Sequence, residues 1–384
     1  MRAEDLPVVV MKGTPHERGQ SYGEHLRGRV RETVAKYCEW LAAVHCRDAR
    51  ARVTDLARRA SFEPHIQRYC PDLADEVRGI AEGASLPVAD VLALNLLDET
   101  DAQLAGLTVG QDRPLTGDRC SAVAMRSANE GVTVGGQNMD IAAWCEGSQV
   151  LLRMAIEGEV EQLVFSIAGS IGLNGMNAYG LGVSLNALPT LPSSPDGLPV
   201  TFVLRCLLRQ RDVASAVQFL RSIRHASGQN YLLSGRDEIA SIECSAERVA
   251  RVGYEGLQDR LIHTNHPLAS PGELRNVESD SQTGTYGTSA SSQARYSSLD
   301  RRMKRADACA SVEFLKETFR AKDDPLHPVC RATLNKDDLA GYTVGSSIYE
   351  VPHRGAPRMH LYPGPPDSGE YHVLDFEMPL GLHG

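Results

Sequence analysis

No apolar run in the 384-residue chain approaches the ~18 residues that span a bilayer, so no membrane helix and no membrane partner are expected. The first residues, MRAEDLPVVVMKGTP, are acidic and hold only the short run VVVM. A secretory leader requires a basic start and a longer apolar core, and the expected location is cytoplasmic. No stripe of Lys and Arg is present. The 40 basic and 49 acidic side chains are interspersed and leave a net charge of −9, which argues against a nucleic-acid partner. The nine cysteines (38, 46, 70, 120, 145, 206, 244, 309 and 330) form no CxxC pair. In a reducing compartment most of them read as small buried hydrophobes. HTNH holds two histidines, His263 and His266, but no third ligand nearby, a poor zinc site. No metal and no cofactor are expected. There is no internal repeat.

What is present is ordinary globular composition, 42% hydrophobic and 23% charged, long enough for two small domains or one large layered one. Residues 14–100 read as helical. Thr14 with Glu17 three residues on forms a capping-box pattern. Tyr22, Leu26, Val30, Val34 and Cys38 then recur at helical spacing, and two further helices flank the break at Gly83 to Pro87. From Cys120 the character changes. CSAVAM, VTVGGQNMD, QVLLRMAIEG, QLVFSIAG, GLGVSLNAL, YLLSG, IASIECS and ARVGYE are short apolar or alternating runs bounded by Gly, Asn and Asp, which are strand signals. Between them TFVLRCLLRQRDVASAVQFL reads as helix, with Asp212 capping its second half. Residues 267–296, rich in Ser, Gly and Thr, read as a long loop. Helix follows over about 297–320, and then strands in AGYTVGSSIYEV, RMHLYPG and YHVLDFEM.

Four stretches stand out together: DRCSAVA (118–124), GQNMD (136–140), GMNAYGLGVSLNAL (175–188) and IHTNHPL (262–268). Each alone has a plain structural explanation. Cys120 reads as a buried cysteine after a turn, Asp140 as an Asx turn, and Asn186 as an amide satisfying backbone groups. In this order, with GTPHERGQSYGEHLRG, EVRGIAEGASLPVADVLALN, SSQARYSSL and HPVCRA also in place, the chain resembles the acyl-coenzyme A:6-aminopenicillanic acid acyltransferase family. That family, the linear amide C–N hydrolases, belongs to the N-terminal nucleophile hydrolases. The resemblance implies an α+β fold, a four-layer αββα sandwich of two antiparallel sheets between helical layers. It also implies that residues 1–119, a helical segment, are released by self-cleavage yet stay bound, leaving residues 120–384 as the catalytic core.

By the same resemblance, cleavage falls between Arg119 and Cys120, and Cys120 becomes the N-terminal nucleophile. Asp140 matches an aspartate near that terminus, Asn265 an oxyanion-hole amide, and Asn186, with Ser121, a supporting position. The family's arginine in a late RGAT stretch is replaced by Ala340 in AGYT. The chemistry suits these residue types. A mid-chain thiol has a pKa of ~8.5 and is little ionised at neutral pH. Once cleavage frees its own α-amino group, that amine (~7.7–8.0) serves as general base with no histidine required. The expected activity is hydrolysis of a linear N-acyl or aminoacyl amide through an acyl-thioester enzyme. Acyl transfer to an amine and an uncleaved, non-catalytic ligand-binding role are the alternatives. The expected partners are a small amide or acyl-thioester substrate and the protein's own N-terminal fragment, and homo-oligomerisation is left open.

Overall fold

A computed structural model of the chain describes residues 5–44, 51, 62–100, 120–253, 259–269, 289–305, 308–333, 341–367 and 369–377. Its helices are α1 (Pro15–His25), α2 (Arg27–Val44), α3 (Phe62–Tyr69), α4 (Pro71–Ala84), α5 (Val88–Leu94), α6 (Val200–Leu207), α7 (Val213–Ser222), α8 (Ala290–Met303) and α9 (Val312–Phe319). Its strands are β1 (Val8–Met11), β2 (Ser121–Ser127), β3 (Val132–Ile141), β4 (Gln149–Met154), β5 (Gln162–Ile167), β6 (Asn174–Asn177), β7 (Gly182–Ala187), β8 (Gln229–Ser234), β9 (Ile239–Cys244), β10 (Val249–Arg251), β11 (Arg260–His263), β12 (Tyr342–Pro352), β13 (Arg358–Tyr362) and β14 (His372–Asp375).

The strands form an eight-stranded sheet, β1-β4-β5-β6-β7-β8-β9-β10, and a six-stranded sheet, β11-β2-β3-β12-β13-β14. Strands buried on both faces reveal the layering, because alternate side chains enter different cores. Val150, Leu152 and Met154 of β4 pack outward with Tyr22 of α1, Ile80 of α4, Phe202 of α6 and Leu220 of α7. Leu151 of the same strand, with Phe165, packs inward with Met139, Val344 and Tyr349 of the other sheet. On the far side, Val123, Met125 and Ile348 pack with Leu299 and Met303 of α8 and Phe314, Leu315 and Phe319 of α9. The order is helix, sheet, sheet, helix: the four-layer αββα architecture.

The two sheets approach closely because glycine stands where an aromatic ring needs room. A Cβ on Gly345 of β12 would lie 2.3 Å from Cζ of Phe165, and one on Gly182 of β7 would lie 2.4 Å from Cδ2 of Tyr349. Gln137 of β3 crosses the gap. Its Nε2 donates to Leu185 O at 3.2 Å and its Oε1 accepts from Leu185 N at 2.6 Å.

The described parts of the N-terminal segment are built into this sandwich, and they are not all helical. VVVM is the edge strand β1, paired parallel with β4 from Val8↔Leu151 to Met11↔Met154. The eight-stranded sheet is therefore not wholly antiparallel as expected. A parallel neighbour requires a long connection, and between β1 and β4 the chain carries α1 to α5 and then β2 and β3 of the other sheet. The Thr14–Glu17 capping box forms as the sequence indicates, as does the Asp212 cap of α7.

Candidate active site

Pairing places the residues. In the β2–β3 hairpin, Ser121 lies opposite Asn138, so Cys120, just before β2, comes against the Met139–Asp140 end of β3. On its other side β2 pairs with β11, Ala122 opposite His263. Extending that antiparallel register two residues brings Asn265 level with Cys120. Residues 120 and 265, far apart in sequence, thus share one end of the six-stranded sheet.

The Cys120 side chain is buried, 6% exposed. Its Sγ lies 3.5 Å from Met139 Sδ and donates to Asp140 O at 3.7 Å. The Asp140 carboxylate is fully buried. By strand alternation it shares a face with Asn138, whose amide donates to Phe319 O and Val329 O under the outer helices. Burial, with the Asp140 charge nearby, pushes the Cys330 thiol up to about 12. Asn265 is held at three atoms. Its backbone N donates to Ser292 Oγ at 2.7 Å, its Nδ2 donates to Ala187 O at 3.1 Å, and its Oδ1 accepts from Arg295. Because Ala187 ends β7, Asn265 joins the two sheets. One Nδ2 hydrogen is engaged with Ala187, and an amide nitrogen carries two.

Asn186 of β7 contributes one step back. Its Nδ2 donates to His263 O at 3.4 Å, and its Oδ1 accepts from Asn230, whose own Oδ1 accepts from Ser241 Oγ. The two histidines of HTNH serve different partners. His263 Nε2 lies 3.0 Å from Glu243 Oε1 and its Nδ1 2.7 Å from Thr264 O. His266 Nδ1 lies 2.8 Å from Ser292 Oγ, and its ring meets Tyr296 edge-on. Burial, then the neighbouring His263 and Arg295, lowers the His266 pKa to about 4, so it is neutral at neutral pH. Among the described residues no three His, Cys, Asp or Glu side chains group as a metal site would require.

The residue that sequence reasoning missed is Arg295. Fully buried, it donates through Nη1 to Cys120 O at 2.6 Å and Ser121 Oγ at 3.0 Å, and through Nη2 to Asn265 Oδ1 at 2.9 Å. The sequence reading put it in a loop ending at 296. Instead α8 starts at Ala290, capped by Ser289, whose side chain accepts from Ser292 N. Helix was expected only from about 297 because the buried residues of the first turns, Ser291, Ser292 and Arg295, are polar, and the apolar Leu299 and Met303 follow later. SSQARYSSL was visible as a motif, but its arginine carried no assigned role. The proposed cleavage residue Arg119, the substituted Ala340 and positions 270–288 of the long loop lie outside the described residues.

Comparison with known proteins agrees with the family resemblance. The family model for acyl-coenzyme A:6-aminopenicillanic acid acyl-transferase matches residues 130–359. The acyl-coenzyme A:6-aminopenicillanic-acid-acyltransferase 40 kDa form of Emericella nidulans is 26% identical over 266 residues, which is 69% of this chain and 70% of that protein. Among solved structures, the Caenorhabditis elegans ortholog of N-acylethanolamine-hydrolyzing acid amidase aligns at 18% identity and TM-score 0.41, over 61% of this chain and 94% of that one. Penicillin V acylase from Agrobacterium tumefaciens aligns at 14% identity and TM-score 0.42, over 67% and 86%. With the family model matched over more than half its length, the chain belongs to the acyl-coenzyme A:6-aminopenicillanic acid acyl-transferase family.

Proposed function

We propose that the protein is a self-processing amidase whose nucleophile is Cys120, exposed as a new N-terminus by cleavage after Arg119. The observation that carries this reading is the position of Arg295. One buried guanidinium holds both the Cys120 carbonyl and the Asn265 side-chain oxygen, so the residue that bears the thiol and the residue that bears the neutral donor are tied to one group.

In this reading the Cys120 α-amine takes the Sγ proton, and the sulfur attacks the substrate carbonyl. Asn265 Nδ2 donates to the oxyanion, an interaction that strengthens in the transition state. The leaving amine departs with the proton, and water hydrolyses the thioester. Asp140 holds the α-ammonium and tunes its pKa. Ser121, through Arg295, and Asn186, through the His263 carbonyl, support the framework. Self-cleavage uses the same sulfur on the Arg119 carbonyl. Residues 1–119 then remain bound, a reading supported by β1 in the sheet and by Glu76 of α4, which bonds Arg205 of α6. The family description and the Emericella nidulans relative favour a second reading, in which an amine rather than water takes the acyl group.

Intact-mass measurement of the purified protein tests the first step, with two chains expected for the native sequence and one for Cys120→Ala. Incubation with a panel of N-acyl amides and acyl thioesters should then leave an acyl adduct on Cys120. A Cys120→Ala protein that still splits and turns over would end the proposal.

A further inference from the structure

Glu243 lies in β9 of the eight-stranded sheet, paired with β8 and β10, yet the described hydrogen bonds of its side chain go to the segment carrying Asn265. Its Oε1 accepts from His263 Nε2 at 3.0 Å and from Leu268 N at 2.6 Å, and its Oε2 accepts from Ala269 N at 3.2 Å. Both side chains of the Glu243–His263 pair are essentially unexposed. Burial alone would raise the Glu243 pKa. The His263 hydrogen bond and its electrostatic influence, with the two amides, hold it below the usual range instead. A carboxylate so placed grips the turn at both ends, at His263 before Asn265 and at Leu268 and Ala269 after it. The His263 ring passes the constraint on, since its other nitrogen faces Thr264 O, the carbonyl of the residue before Asn265.

We infer that Glu243 is a positioning residue for the oxyanion-hole amide, fixing the His263–Ala269 turn so that Asn265 Nδ2 meets the reacting carbonyl. This rests on the proposed role of Asn265. A carboxylate can accept all three bonds. An amide in its place brings a donor toward a backbone N–H, so Glu243→Gln breaks part of the grip without emptying the site. Misplacing a reacting group by about 1 Å costs on the order of 10²-fold, and a loose turn should cost turnover rather than substrate binding.

The experiment is a double-mutant cycle on the processed protein, with the N-acyl amide of the panel that turns over as probe. Glu243→Gln should lower kcat by roughly 10- to 100-fold with KM little changed. In the Asn265→Ala background the same change should cost less than about threefold, because a residue acting through Asn265 has nothing left to position. Equal losses in both backgrounds, or a fall in melting temperature with kcat intact, would overturn the inference. Glu243→Asp, which keeps the charge and shortens the reach, gives the same comparison if the Gln variant fails to fold. A crystal structure of the folded variant supplies a readout independent of any substrate. The Asn265 Nδ2 to Ala187 O distance should exceed about 3.5 Å. An undisturbed Asn265 there refutes the positioning role, while absent turnover in the unmutated protein refutes only the amidase reading.

Discussion

Two buried guanidinium clusters in this molecule hold different groups in place. Around Glu76, Arg18 Nε lies 2.6 Å from Oε2 and Arg205 Nη1 lies 2.8 Å from Oε1, while Asp72 receives Arg18 and Arg209. Burial there is answered by opposite charge. It would raise the Glu76 pKa, but Arg205 and Arg18 together hold it below the ordinary range. Arg295 donates to neutral oxygens, among them the Cys120 carbonyl, the Ser121 and Ser291 hydroxyls and the Asn265 amide. The first cluster ties α1 and α4 to α6 and closes a structure. The second holds a thiol residue and an amide in one geometry. The difference teaches that a buried arginine's role follows from what it donates to.

The comparison breaks most sharply at Glu76. Glu76→Ala strands the buried Arg205 and leaves Arg18 with Asp72 alone, and should cost about 3–5 kcal/mol of stability, measured by denaturant unfolding, while the folded fraction keeps its turnover. The reverse split is expected at Asn265. Asn265→Ala should lower kcat by about 10²–10³ with KM little changed, and a variant that melts earlier yet turns over normally would remove Asn265 from the site.

Glu99 sharpens the contrast from a third position. It is a buried carboxyl that accepts from Val200 N at 2.9 Å and Ser227 Oγ at 2.7 Å. Burial, then the neighbouring Asp98 charge, raises its pKa to about 7. Because the folded value lies above the unfolded one, the stabilisation from the neutral acid is complete below about pH 4.5 and is lost as pH rises through 7. Glu99→Gln keeps the acceptor and should flatten that dependence, raising stability at pH 8 by up to roughly 3 kcal/mol. Thermal melts of both proteins from pH 4 to 8 check the sign. The smallest effect is expected at Cys244, fully buried in the core that the eight-stranded sheet shares with α6 and α7. Cys244→Ala should cost about 1 kcal/mol and leave turnover intact, and a thiol reagent should inactivate through Cys120 first.

Much of this architecture was legible from residue order. Period-two apolar runs located most strands, and the Thr14 and Asp212 caps marked helix starts, because these signals are local and need no partner. The four motifs named Cys120, Asp140, Asn186 and Asn265, and four of the described elements, β2, β3, β7 and β11, carry or adjoin them. The first turns of α8, before the helix expected from about 297, escaped because their buried residues are Ser291, Ser292 and Arg295, which read as loop when hydrophobicity is the signal. VVVM was visible as an apolar run, but nothing local says that it is an edge strand parallel to β4.

The sequence by itself determined the strand and helix periods, the caps, the motif order and hence the family, since each is written in neighbouring residues. Only the tertiary structure decided that Asn265 comes level with Cys120, that Arg295 joins them from 175 residues away, and that Glu243 grips the Asn265 turn from the opposite sheet. The physical reason is that burial and antiparallel register set those meetings. A guanidinium or carboxylate deep in the core has no periodicity to announce it, and its meaning appears only when the atoms it bonds are brought beside it.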